Sequence, residues 1–328
     1  MSAEHRWILL ATVIGAGVAV GTCACPGVVP LPRLLALGPL LALPGLWVML
    51  MARDRMRCKA ALVRMTRVAE LTQQALVRPL PSDLGGLATA VQSRSASAGV
   101  LVGGDLYDAV LLPCGPRLVV GDVRGHGLDA VRISAAVLSA FRHTAATEPD
   151  LIRLAHALDD RVRDDLDDED FVTLLLADFV PGAVRLVNCG HPPPLRVGRR
   201  MELIEPPYPS PPLGLWPTPR LHTVPLSPEQ RLLFYTDGLT EARDAHGTPL
   251  ALDHRVRNAL RAPALDEALA NLVGVVDQHA AIRDSGGHGD DLTLLLVQPH
   301  AGLLTGPALP VAKNDGVPGA PRGNPGRS

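Results

Sequence analysis

The stretch GGDLYDAV, residues 103–110, sets two acids, Asp105 and Asp108, three positions apart behind a pair of glycines, in a segment that otherwise reads as strand. A carboxylate beside a buried apolar strand has lost solvent. Left unpaired it costs folding free energy, or its pKa rises until it neutralises. The same placement recurs three times: Asp122 in LVVGDVRGHG (118–127), Asp237 in LLFYTDG (232–238), and Asp290 with Asp291 in GGHGDDLTLLLV (286–297). Each cluster sits at a strand end or beside a glycine turn.

No Lys or Arg lies at regular spacing to neutralise four such groups, so the common partner the pattern calls for is a divalent metal. Oxygen donors without a His or Cys cluster favour magnesium or manganese over zinc. Two such ions sharing a water form the type of centre that hydrolyses phosphate esters. Singly, each motif is an ordinary turn; their joint placement carries the reading.

Outward from these acids, strands are expected at 99–103, 106–112, 117–121, 171–180, 183–188, 193–197, 201–205, 221–225, 231–236 and 292–297. Helices are expected near 128–146, 149–166 and 264–282. Tight turns such as PGA at 181–183 join successive strands, which argues for antiparallel hairpins. The fold class is therefore α+β, an antiparallel β-sandwich flanked by helices, rather than a doubly wound sheet.

Ahead of this region, residues 7–25 and 34–52 each run 19 residues without a charge, long enough to cross a bilayer as helices. RDRMRCKAALVRMTR (53–67) follows, with six bases against one acid, so this end is expected on the cytoplasmic side of the plasma (inner) membrane. Residues 1–52 thus read as a transmembrane hairpin and 53–80 as a basic connector helix, whose apolar stripe at Leu62, Met65, Ala69, Thr72 and Leu76 could pair two copies into a homodimer. Residues 81–299 form the catalytic domain, and the Gly- and Pro-rich stretch 300–328 is expected to be disordered. A net charge of −2 gives no sign of a nucleic-acid partner. Five cysteines without a C-x-x-C pair indicate neither a disulfide framework nor zinc.

Taken in order, GGDLYD, GDVRGHG, the F-x-T of FVTLLLADF (171–179), NCGHPPPL (188–195), FYTDGLTEAR (234–243) and GDDLTLLLV resemble the SpoIIE-like branch of the metal-dependent type 2C (PPM) serine/threonine protein phosphatases. The resemblance spans about residues 75–298, including ALVRPLP at 75–81. It implies a two-layer sandwich flanked by helices, holding two manganese or magnesium ions at one edge. By motif, Asp105 holds a metal directly or through water, Asp122 bridges both ions, the Val123 carbonyl completes one shell, and Asp237 binds one metal. In the closing motif Asp290 is the better ligand and Asp291 an acid behind it.

The implied reaction is hydrolysis of phosphoserine or phosphothreonine on a signalling protein of the anti-anti-sigma type, by metal-activated water. Two departures stand out. The superfamily histidine two residues after the bridging aspartate is here Arg124, and the arginine ahead of the first acid has no match, Val100 standing there. Arg124 is a substitute phosphate contact on this reading, and His126 a candidate general acid.

Other signals read as structural. The run DDRVRDDLDDED (159–170) lacks the glycine and spaced ligands of a calcium loop and reads as a solvated helix end. His191 reads as part of a turn, Tyr107 as packing, and Asp108 as a structural acid on the face opposite Asp105. A diguanylate cyclase would need a further acid directly after GGD, where Leu106 stands. The alternative to an enzyme is a catalytically silent receptor keeping the fold as a binding module; four intact acidic motifs favour the enzyme.

Overall fold

A computed structural model describes residues 47, 49–59, 77–94, 103–125, 127–167, 169–280 and 291–300. The chain divides into two units, Met1–Arg67 and Val68–Ser328. In the first, residues 49–59 are helical and exposed. Among the described residues no helix is long and apolar enough to cross a membrane. The expected hairpin falls on residues outside the described set up to 46, as do most of the connector helix, the strand at 99–102, His126, Asp290 and the tail beyond 300.

The second unit is built from strands that are apolar on both faces. In β11 (Leu292–Pro299), Leu292, Leu294 and Leu296 pack into one apolar cluster while Leu295 and Val297 pack into another. β4 (Gly115–Val123) does the same, Val119 and Val123 facing one way, Leu118 and Val120 the other. A strand buried on both faces must be covered twice, and side-chain alternation sends its residues to two different cores. The result is four layers.

One sheet runs β1-β2-β11-β10-β7-β8, made of β1 (Asp83–Leu84), β2 (Leu87–Arg94), β7 (Leu195–Val197), β8 (Met201–Leu203), β10 (Arg231–Tyr235) and β11. The other runs β3-β4-β5-β6-β9, from β3 (Leu106–Leu112), β4, β5 (Val172–Val180), β6 (Ala183–Cys189) and β9 (Leu221–Pro225). Every named strand pair is antiparallel. Helices α1 (Leu128–Thr144) and α2 (Leu151–Arg163) cover the second sheet. Helices α3 (Gly238–Glu241), α4 (His254–Ala259) and α5 (Leu265–Ala280) lie on the first. The sandwich is as expected, and expected strands and helices in the described residues recur with shifts of a few residues at their ends.

Three details differ from the sequence reading. β2, LATAVQSR, carries no strand-like alternation of large apolar residues, yet pairs with β11 over eight positions, from Leu292↔Arg94 to Pro299↔Leu87. Its strand character comes from its neighbour, not from propensity. The acidic run 159–170 is not simply solvated: Asp159 is 2% exposed, pairs with Arg163 and accepts the Gly214 N–H at 2.7 Å. And the scarcity of basic partners does not extend to Asp108, which Arg142 of α1 meets at 2.5 Å.

An unexpected anchor fixes the α1–α2 connection. Arg117 is fully buried; it makes a two-pronged pair with Asp178 at 2.6 and 2.9 Å and donates to the carbonyls of Ala145, Glu148 and Pro149. Arg185 adds a second cation to Asp178 at 3.0 Å.

Candidate metal centre

Strand register brings the acidic motifs to one end of the sandwich. Asp105 immediately precedes β3, and Leu106 pairs with Gly121, so Asp105 and Asp122 belong to the same end of the β3–β4 ladder. Tyr235 of β10 pairs with Leu294 of β11, which puts Asp237, just past β10, and Asp291, just before β11, at a common end of the other sheet. The two ends meet across the sandwich: Thr236 donates its hydroxyl to Asp105 Oδ2 at 2.9 Å.

The glycines explain how four chain segments come so close. A Cβ at Gly103 would lie 1.4 Å from Asp291 Oδ2, and one at Gly104 would lie 2.3 Å from the Val123 carbonyl oxygen and 2.9 Å from Asp122 Oδ1. Gly238 has the Asp291 carbonyl at 2.0 Å from the same construction. Side chains at these positions would push the motifs apart. The glycine pair of GGD and the glycine of TDG are close-approach residues here, since none of the three needs a positive φ.

Hydroxyl groups hold the backbone around the acids. Ser134 of α1 donates to the Gly104 carbonyl at 2.9 Å, and the Val123 N–H donates to the same oxygen at 3.3 Å. Thr173, the threonine of F-x-T, donates to the Asp122 carbonyl at 3.3 Å and shares a 2.9 Å hydrogen bond with His191 Nδ1. His191 is clamped in turn by Asn188, in two hydrogen bonds of 2.8 and 2.9 Å. Thr236 accepts the Thr293 N–H at 2.9 Å, tying the TDG turn to β11. Thr173 was quoted from the sequence in the F-x-T motif without a role; Ser134 was not singled out, and the threonines of TDG and of DDLT lie within the quoted motifs.

The electrostatics are those of carboxylates sharing a small volume. Burial pushes the Asp105 carboxyl up to about 7; the Thr293 and Thr236 hydroxyls oppose that rise, and the charges of Asp291 and Asp237 add to it. His191 is driven the other way, down to about 3, because it is fully enclosed. It stays neutral near pH 7, in keeping with a structural role.

Among the described residues, no three His, Cys, Asp or Glu side chains close on one point as a formed metal site does. Asp290 lies outside those residues, and drawing like-charged carboxylates to one point takes a cation between them. The donor set fits a hard divalent cation on three observations: the acids and the Val123 carbonyl offer oxygen donors, the buried member is repelled by its acidic neighbours, and glycines stand where a Cβ would clash with Asp122, Val123 and Asp291. Asp105, Asp122, the Val123 carbonyl, Asp237 and Asp291 are the described groups able to hold it. Asp291 lies against Gly103 and acts on Asp105.

Arg124 stands at the outer end of β4, with its side chain about half exposed, pairing with Glu169 and lying over the Phe171 ring at 5.6 Å. It is two residues from Asp122 on a segment held to β5 by the hydrogen bond from its own N–H to the Phe171 carbonyl, 3.0 Å.

The family described as Stage II sporulation protein E (SpoIIE) matches residues 115–300. Among solved structures, the RsbU and RsbW domains of a Mycobacterium tuberculosis protein are 28% identical, with a TM-score of 0.57. That match covers 66% of this chain and 61% of that one, so the chain spans about three-fifths of its length. The SiaA-PP2C domain of Pseudomonas aeruginosa is 20% identical over 76% of this chain and 98% of its own, with a TM-score of 0.61. The PP2C phosphatase domain and regulatory fragment of Bacillus subtilis SpoIIE is 17% identical over 65% and 64%, with a TM-score of 0.51. At these identities the latter two establish the fold, the PP2C (PPM) phosphatase sandwich.

Proposed function

The chain belongs to the SpoIIE family, and on that premise we propose that it is a metal-dependent protein phosphatase that hydrolyses phosphoserine or phosphothreonine on a signalling protein. The observation that carries this reading is the convergence of Asp105, Asp122 and Val123, Asp237 and Asp291 at one end of the sandwich, through three glycines that permit it. When bound there, two manganese or magnesium ions supply a water of lowered pKa and offset charge on the phosphoryl oxygens. The chain's own residues do the rest. Asp105, Asp122, the Val123 carbonyl, Asp237 and Asp291 would hold the ions; the Thr236 hydroxyl fixes the rotamer of Asp105; and Thr173 with Ser134 holds the two backbones at their approach.

Arg124 is the phosphate contact on this reading. Its guanidinium is exposed, two residues from Asp122, and its counter-charge Glu169 is itself open to water at 3.6 Å, so a phosphate dianion can displace that weak surface pair.

Its substrate is a phosphorylated regulator of the anti-anti-sigma type. Support comes from the 28%-identical structure, whose RsbU-like part accompanies an RsbW domain. The apolar runs 7–25 and 34–52, followed by six bases, support a plasma-membrane anchor with residues 81–299 as a cytoplasmic catalytic domain. The stripe from Leu62 to Leu76 supports pairing of two copies.

The test is turnover of an aryl phosphate by the full-length protein with manganese, repeated for Asp122→Ala. The reading expects metal-dependent turnover, lost in the variant. Equal activity in both, or none with any divalent metal tried, leaves a silent receptor as the function.

A further inference from the structure

At the end of the first sheet away from the acids lies a cleft of about 600 Å³, lined from the β7–β8 hairpin, the turn before β10 and the segment after α4. Arg231 begins β10 and Asp237 follows its far end, so at about 3.3 Å per residue the cleft is roughly 20 Å from the metal-site acids.

Its charge is one-sided. Arg199 and Arg200 occupy the tip of the β7–β8 hairpin, where the Gly198 N–H closes on the Arg200 carbonyl at 2.9 Å, and both are exposed. Arg261 follows α4 and is exposed too. The side chains of these three have no hydrogen-bond or ion-pair partner among the described residues. Arg231 is half-buried and bonded only to neutral oxygens: Gln298 at 2.9 Å and the carbonyls of Leu260, Ala262 and Pro263 at 2.6 to 2.9 Å. Its cation is fixed in place with no carboxylate to balance it. Arg196 is already matched by Glu202, which leaves Glu229 as the one lining acid without a basic partner among the described residues.

We propose that this cleft is a second binding site, separate from the catalytic centre, for a small polyanion carrying two or more adjacent phosphate groups. Three observations carry it. The forks of Arg199, Arg200 and Arg261, from two chain segments and facing Glu229 as the one unmatched lining acid, fit the planar bidentate geometry of phosphate oxygens. Arg231, with four of its five N–H groups held by Gln298 and three backbone carbonyls, adds a fixed positive charge to the cleft rather than a fork. The volume falls within the roughly 300–1,000 Å³ usual for small-molecule sites. A single inorganic phosphate would leave part of this charge unmatched.

The ligand chemistry could belong to a free polyphosphate or to a phosphate-rich lipid headgroup, and two arms separate them. The first is calorimetry of the metal-free full-length protein with inorganic tripolyphosphate. The second is the same calorimetry with a short-chain, water-soluble phosphoinositide bisphosphate, to which a bilayer anchor contributes nothing. Saturable binding in either arm is expected, weakened at least ~30-fold by R199S/R200S/R261S and abolished by R199E/R200E, but unchanged in Asp122→Asn. The substituted side chains are exposed and have no hydrogen-bond or ion-pair partner among the described residues, so both cleft variants are expected to melt with the parent. Absence of binding in both arms, equal binding by the cleft variants, or loss in Asp122→Asn would overturn the proposal; the last would place the polyanion at the catalytic centre.

Discussion

Neighbouring glycines in GGD are expected to fail in different ways when given a methyl group. At Gly104 the new Cβ would stand 2.3 Å from the Val123 carbonyl oxygen, where ordinary contact begins at 3.4 Å. That oxygen is backbone, at the end of a strand paired through Val123↔Val172, so relief takes a shift of about 1 Å between two chain segments that both carry site acids. Overpacking of this kind costs about 1–3 kcal/mol, a fall of roughly 2–12 °C in Tm for a unit of this size. A displacement of about 1 Å in a catalytic constellation costs on the order of 10²-fold in rate. At Gly103 the clash is with the end of the Asp291 side chain, which can swing away. Gly103→Ala is therefore expected to lose activity to a similar degree, with a Tm within about 2 °C of the parent.

Gly182→Ala is the control: φ is +75°, nothing lies within 4 Å of its Cβ, and it is remote from the acids. It should cost about 1–2 kcal/mol of stability and leave kcat and KM alone. The assays are thermal unfolding and manganese-dependent hydrolysis of p-nitrophenyl phosphate. Full activity in Gly104→Ala would refute the argument that close approach of GGD to Asp122 and Val123 builds the site.

Other perturbations reach different parts of the account. Arg117→Met leaves Asp178 with Arg185 alone and strips three carbonyls of their donor; about 3–5 kcal/mol of stability should go, read by urea unfolding. His191 has a folded pKa depressed to about 3 against an ordinary 6.5. Its contribution is therefore fully present above pH 6.5 and is lost as pH falls from there towards 3, because the unfolded chain binds the proton first. His191→Gln should flatten the stability–pH profile in that window, and an unchanged acid limb would count against it. Arg124→Ala should raise KM for an aryl phosphate about 10-fold or more with an unchanged melting temperature, whereas unaltered kinetics would remove Arg124 from the phosphate site.

How far sequence reaches here depends on where each signal is stored. β5 and β11 are legible because a strand buried on both faces is rich in Leu and Val, as in VTLLLADFV and LTLLLVQP. β2 was not: Ala, Thr, Gln and Ser make a strand only because β11 offers eight partners. The acids were legible because buried carboxylates beside glycines need a partner. Their supporting hydroxyls were not, because Thr236 meets Asp105 across 131 residues and Ser134 meets Gly104 from a helix face, contacts that no local spacing encodes. Arg117 was hidden for the same reason. In the strand GPRLVVGDV it reads as an exposed charge, and its burial is intelligible only beside Asp178 and the carbonyls of the α1–α2 turn.

The most direct test of the central claim is calorimetric titration of manganese into the metal-stripped full-length protein, in parallel for the parent and Asp237→Ala. Two ions are expected to bind per parent chain, with at least one site weakened by about 100-fold or more in the variant. No saturable manganese binding by the parent, or an identical isotherm from the variant, would contradict it.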